Sequence, residues 1–259
     1  MKIKGAKIYK KNNCWICYIE EFSDELKEII RANLKKICYG INDASAAHTY
    51  KNTLVSFFTR YDDKTQKQQK GMLGELLAHV VLTRSISNLL RASVLFNKEE
   101  RSMKKGFDII FLDVKNNAIW YSEVKSGELR NGDSTRSNLR LLSSARAGIE
   151  DKFNSRHSYL WDNALFDARL TTRKQIFNKL KSLLDHEYPS VEQAAPFKGN
   201  AILISVLYSP LSNKIDSKSL DKMLNKIIKK NKFRNVIIYS IQKETFNKIE
   251  RFLKQEKDA

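Results

Sequence analysis

The chain has 259 residues, 42% of them hydrophobic, which is enough for one substantial core or for one core with a small appended lobe. Its formal charge of +18, from 47 Lys and Arg against 29 Asp and Glu, points to a polyanionic partner and says nothing about fold. No run of about 18 consecutive apolar residues is present, and the basic residues are not confined to one amphipathic helix, so a membrane is disfavoured and nucleic acid is the expected partner.

Residues 1–7 are basic and lack the apolar run of a secretory signal. With three cysteines a disulfide framework is not supported, and the expected setting is a reducing cytoplasm. Cys14-Trp15-Ile16-Cys17 has the spacing of a redox dithiol, but it lies in an aromatic and β-branched run, 14–19, that reads as a strand and not as a helix N-terminus. A zinc site would need a second ligand pair, and only Cys38 is left among the cysteines, so buried small hydrophobes are the expected role. Ser23-Asp24-Glu25 supplies an N-cap and an acidic first turn for a helix carrying Leu26, Ile29, Ile30, Leu34 and Ile37 and ending at Gly40. Residues 42–52 are small and polar and read as a surface connection, in which His48 has no companion at ligand spacing. Residues 1–64 are thus read as an α/β extension packed on a core formed by residues 65–259.

Residues 66–90 carry a wide apolar stripe, Met72, Leu73, Leu76, Leu77, Val80, Val81, Ile86, Leu89 and Leu90, which predicts a helix. Gly71 and Gly74 each cost about 1 kcal/mol relative to alanine in such a helix, and that suggests close approach to another backbone. Glu75 follows at the border of the stripe, where an ordinary exposed helix carboxylate is one reading. Residues 94–96 read as a short strand and 97–105 as a charged turn. Two apolar strands follow, Gly106 to Phe111 and Ile119 to Lys125, joined through Lys115-Asn116-Asn117 and therefore antiparallel neighbours. Residues 126–138 read as a mobile loop and 139–153 and 171–186 as helices. Between the two helices, Tyr159-Leu160-Trp161 and Leu165-Phe166 are expected to pack on the core, and Pro189 and Pro196 bracket a linker. The remainder alternates strand 201–207, helix 219–230, strand 236–241 and helix 245–254, which predicts an α/β fold with some parallel strands.

Within the central pair, Asp108 and Glu123 are charged residues in apolar strand-like runs, and Lys125 shares a face with Glu123 because side chains alternate along a strand. A hairpin can bring the two carboxylates to one level, where they repel unless a cation bridges them. Hard oxygen ligands suit magnesium or manganese, and a lysine beside them can position and neutralise a phosphate. Such parts can hydrolyse a phosphodiester. A structural ion pair between Glu123 and Lys125 is the competing explanation of those two residues.

Asp108 followed by Glu123-Val124-Lys125 resembles the D…ExK signature of the PD-(D/E)xK nuclease superfamily, and Gly74-Glu75 resembles the helical glutamate upstream of it in many members. The resemblance implies a restriction-endonuclease-like core, a mixed central sheet flanked by helices, with Asp108 and Glu123 as ligands of Mg2+ or Mn2+. It also implies Glu75 as an additional ligand, direct or through water, and Lys125 near the attacking water, with no small-molecule cofactor. Gly106-Phe107-Asp108 lacks the proline in the motif's name. More narrowly, Gly74-Glu75, Lys105-Gly106-Phe107-Asp108 and Ser122-Glu123-Val124-Lys125-Ser126-Gly127 resemble the nuclease subunits of Hachiman-type bacterial antiphage defence systems. That resemblance implies DNA as substrate and a helicase subunit as partner.

The basic surface divides into two groups. Arg130, Arg136, Arg140 and Arg146 follow the central strands and are the expected nearer contacts to nucleic acid. Lys226, Lys229 and Lys230 belong to a basic stretch, 222–234, whose Met223, Leu224, Ile227 and Ile228 are expected to face inward. Nothing resembles a helix-turn-helix, a zinc finger or an aromatic RNA-binding signature. The leading reading is a metal-dependent nuclease of low sequence specificity. Its rivals are a noncatalytic nucleic-acid-binding or helicase-adaptor subunit with the same fold, and a small-molecule phosphoesterase, which leaves the positive charge unused.

Overall fold

The computed structural model describes residues 3–96, 106–155, 157–188 and 197–259, so the charged turn read at 97–105 and the linker between Pro189 and Pro196 lie outside the described residues. The first two strands, β1 (Ala6–Lys11) and β2 (Cys14–Ile19), form a hairpin closed by Asn12-Asn13, with Asn12 at φ 52. Asparagine tolerates that left-handed backbone better than most residues. β1 is not signalled by the sequence pattern, because Ala6-Lys7-Ile8-Tyr9-Lys10-Lys11 is a half-exposed edge strand with too few apolar residues to register. Ser23 then caps α1 (Asp24–Tyr39) by accepting from the Leu26 N–H, and Gly40 ends it at φ 94, as expected. α2 (Tyr50–Tyr61) is a helix that the polar composition of 42–52 conceals; Thr49 caps it, and Leu54, Phe57, Phe58 and Tyr61 form its buried stripe. His48, in the connection before it, stacks on Tyr39 with ring centroids 3.8 Å apart.

α3 (Gln66–Ser85) starts at a capping box formed by Thr65 and Gln68. It ends five residues before the predicted limit of 90, since Leu89 and Leu90 belong to β3 (Leu89–Arg91), an edge strand. Residues 94–96 are not a strand: the Val94 N–H donates to the buried Asp167 carboxylate at 3.2 Å, and the Leu95 N–H donates to the Ile37 carbonyl. β4 (Ile109–Asp113) and β5 (Ala118–Glu128) are antiparallel, with Ile109 opposite Ser122 and Asn117 at φ 50 in the turn. α4 (Ser134–Ser155) follows, so the predicted loop 126–138 shrinks to a few residues. Then come α5 (Ser158–Thr171), α6 (Lys174–Glu187), β6 (Asn200–Tyr208), α7 (Ser217–Lys229), β7 (Asn235–Lys243) and α8 (Asn247–Asp258). In α5, Leu160 and Trp161 are buried as expected, whereas Tyr159 and Phe166 face solvent.

The seven strands form one mixed sheet in the order β1-β2-β7-β6-β5-β4-β3. β2, β7, β6 and β5 run parallel to their neighbours within that set, and the antiparallel pairs lie at the two ends. The N-terminal hairpin joins the sheet through β2 and β7. One face is covered by α1, α2, α3 and α8, and the other by α4, α5, α6 and α7, each with its own apolar cluster. Two covered faces are what a parallel sheet requires. The fold is therefore the expected α/β class, a mixed sheet flanked by helices. Cys14, Cys17 and Cys38 are buried free thiols, and burial pushes Cys14 and Cys17 up to about 12, far from thiolate chemistry at neutral pH.

Candidate active site

The sheet has a step where β4 ends. Pairing between β4 and β5 begins at Ile109 and Ser122, so residues 123–128 of β5 have β6 on one flank and no strand on the other among the described residues. Asp108 stands just before β4, not within it as expected. Its N–H still donates to the Ser122 carbonyl at 3.2 Å, and its Oδ2 accepts from the Val124 N–H at 2.7 Å. The carboxylate thus occupies the next ladder position and satisfies the first backbone donor that β4 leaves uncovered.

Glu123 lies opposite this position, 3% exposed, with its side chain on the α4 face of β5. Its Oε1 accepts from Lys125 Nζ at 2.7 Å and its Oε2 from Lys152 Nζ at 2.5 Å. Lys152 also lies 3.6 Å from Asp108 Oδ1. α4 presses closely on this group: a Cβ added at Gly148 would stand 2.8 Å from Glu123 Oε1. On the other side of the sheet, a Cβ at Gly74 would stand 1.8 Å from Ser126 Oγ and 2.8 Å from Ser126 Cβ, so α3 lies against β5 as the glycine suggested. Gly71 has nothing within 4 Å and carries no such constraint. Glu75, the residue after Gly74, is partly buried and near enough to Asp108, Glu123, Lys125 and Lys152 to feel their charges.

The electrostatics join all five residues. Burial, then the Asp108 and Glu123 charges, push the Glu75 carboxyl well above its usual range, while Lys125 and Lys152 pull it back. Burial and the Glu123 charge push Asp108 up to about 6. For the two lysines burial works against the charged form, and the neighbouring Glu123 and Asp108 charges outweigh it, so both ammonium groups hold their protons more tightly than usual. Three carboxyl groups thus share a poorly solvated space with two cations. Their chemistry suits a hard divalent ion. Their arrangement does not enclose one: among the described residues no group of three or more His, Cys, Asp or Glu side chains is disposed to hold a metal ion, and the lysines engage the oxygens instead. A cleft of about 440 Å³ opens beside them, lined by Gly106, Asp108, Asp151, Lys152, Ser155, His157, Tyr159 and Leu160.

Lys152 is a member of the cluster that the sequence reading misses. Its signal is a charged residue continuing the sheet-facing stripe of α4 through Leu141, Ala145 and Gly148, a position where an apolar residue is expected. The predicted nucleic-acid contacts are more scattered. Arg136 and Arg140 are exposed on one face of α4, and Arg130 is exposed in the loop before it. Arg146 lies on another side of α4, 3.7 Å from Glu150. Lys226, Lys229 and Lys230 are exposed at the end of α7. Lys230 shares a cavity of about 280 Å³ with Lys198, Lys232 and, from the later part of α4, Glu150 and Asn154. Met223 is partly buried and Leu224 and Ile227 face inward, but Ile228 is 55% exposed, contrary to expectation, because helical spacing places it beside the lysines.

Fold and site together define an α/β protein with a partly buried acid–lysine cluster at a step in a mixed sheet. Residues 5–256 match the HamA family model, and the chain belongs to this family of Hachiman antiphage defence proteins. A comparison with curated proteins gives no match. The family places the chain in antiphage defence, in a system with partner components. No helix among the described residues is long and apolar enough to cross a membrane.

Proposed function

We propose that this chain is the nuclease effector of its defence system, a cytoplasmic PD-(D/E)xK-type enzyme that hydrolyses DNA phosphodiester bonds with low sequence specificity beside a helicase subunit. The observation that carries the reading is the meeting of Asp108, Glu123 and Lys125 at the open flank of β5, with Glu75 electrostatically coupled to them. Asp108, Glu123 and Glu75 would hold Mg2+ or Mn2+, which when bound supplies Lewis acidity and an activated water. The Val124 N–H fixes one oxygen of Asp108 and leaves the other toward the cleft side, where Lys152 stands. Lys125, partly exposed and with a tightly held proton, orients and neutralises an incoming phosphate. The net charge of +18 favours polyanionic DNA over small phosphoesters and predicts steep salt dependence.

The test is cleavage of linear and circular DNA with Mg2+ or Mn2+, for the chain alone and with its partner. Cleavage lost in folded, DNA-binding Glu123→Ala and Lys125→Ala proteins supports the enzyme. No cleavage under any metal or partner condition, with binding indifferent to metal, selects the noncatalytic DNA-binding or adaptor subunit. That second reading is favoured by one observation, the engagement of both Glu123 oxygens by lysines.

A further inference from the structure

We propose that Lys152 is a working member of this site: an internal cation that occupies the oxygens a divalent ion needs and must be displaced before the ion binds. The inference rests on the nuclease reading and goes beyond it by naming what sets the site's metal affinity. Lys152 reaches the cluster from α4, an element separate from the two strands and from α3. It lies on the helix's sheet-facing stripe, where a lysine is costly unless its charge is matched. The match is specific. Its ammonium is 2.5 Å from Glu123 Oε2 and 3.6 Å from Asp108 Oδ1, so one cation bridges the carboxylates contributed by adjoining segments of the sheet.

The same two oxygens are the ones free for a metal ion, because the Val124 N–H holds Asp108 Oδ2 and Lys125 holds Glu123 Oε1. An ion with oxygen ligands at about 2.0–2.1 Å would overlap the ammonium position and repel it, so the two occupancies exclude each other. The displaced side chain has somewhere to go. Lys152 already lines the cleft beside Asp108, and Asp151 and Ser155 in the same cleft offer acceptors for the released ammonium. Without Lys152, the buried Glu123 and the partly buried Asp108 and Glu75 would face Lys125 alone, so the lysine also offsets the repulsion among them.

The experiment is a calorimetric Mn2+ titration of the full-length protein without DNA, comparing wild type with Lys152→Met and Lys152→Arg. Asp108→Asn in the Lys152→Met background identifies the site. Lys152→Met should bind Mn2+ at least about ten-fold more tightly than wild type, Lys152→Arg should not, and Asp108→Asn should abolish the gain. Circular dichroism checks folding, and Lys152→Gln, uncharged but still able to hydrogen-bond, replaces Lys152→Met if that variant does not fold. Equal affinity in wild type and the uncharged variant overturns the competition and leaves the nuclease reading intact. Absence of Mn2+ binding in every variant overturns both.

Discussion

Replacing Gly74 by alanine sets two effects of opposite sign against each other. In a solvent-exposed helix the change would stabilise by about 1 kcal/mol, because alanine is the better helix former. Here the new Cβ would stand 1.8 Å from Ser126 Oγ and 2.8 Å from Ser126 Cβ. The hydroxyl can rotate away, since it has no hydrogen-bond partner among the described residues, but the Cβ belongs to a strand held on its other flank by β6. α3 must therefore lift from the sheet, at an overpacking cost of about 1–3 kcal/mol. The net expectation for Gly74→Ala is a loss of up to about 2 kcal/mol, read by urea unfolding, with a larger loss of activity because Glu75 moves with the helix. Ser126→Gly removes both clashing atoms. A double-mutant cycle should give a favourable coupling of about 1 kcal/mol or more between the two changes. If Gly74→Ala is about 1 kcal/mol more stable than wild type, or shows no coupling to Ser126→Gly, the close approach of α3 to β5 is wrong.

Other consequences are equally direct. The folded state holds the Asp108 proton up to about pH 6, while an unfolded chain releases it near 3.8. The folded state therefore binds more protons across that window, and stability should fall by up to about 3 kcal/mol as pH rises through it. Asp108→Asn should lessen that slope without abolishing it, because Glu75 is pushed up as well, and denaturation at pH 4, 5, 6 and 7 measures the difference. Asn138 is buried between Ser205 and Ser240, donating to the Ser240 hydroxyl at 3.0 Å and accepting from that of Ser205 at 2.6 Å. Asn138→Ala should cost about 1–3 kcal/mol by leaving these groups undersatisfied, and an unchanged unfolding midpoint would refute that role. Reversing Lys226, Lys229 and Lys230 to glutamate should weaken DNA binding and flatten its salt dependence by about 0.9 in log–log slope for each phosphate no longer neutralised. An unaltered slope would remove the α7 lysines from the DNA surface.

Much of the fold is legible in the sequence because burial imposes period. Runs such as 14–19, 201–207 and 236–241 are apolar on both faces because parallel strands covered by helices must be, and β2, β6 and β7 follow them closely. Legibility fails where polar residues face inward. The start of α4 reads as a loop because Ser134, Ser137 and Asn138 are buried there: Ser134 and Asn138 meet Ser205, Ser209 and Ser240 instead of apolar partners, and Ser137 bonds the Arg130 backbone. α5 is similarly masked by Asp167, whose carboxylate accepts from the Val94 backbone.

The same division holds at the site. Sequence spacing alone determined that Glu123 and Lys125 share a face, since strand alternation is a property of the local backbone, and it placed Asp108 at their level through a short antiparallel turn. Only the tertiary structure decided that β4 stops short and leaves Asp108 to cap the uncovered flank of β5. It alone brought in Lys152, twenty-nine residues from Glu123, because no periodicity relates a residue on one helix to the oxygens of a strand packed beneath it. Local pattern fixes which way a side chain points. Packing between layers decides which charges meet.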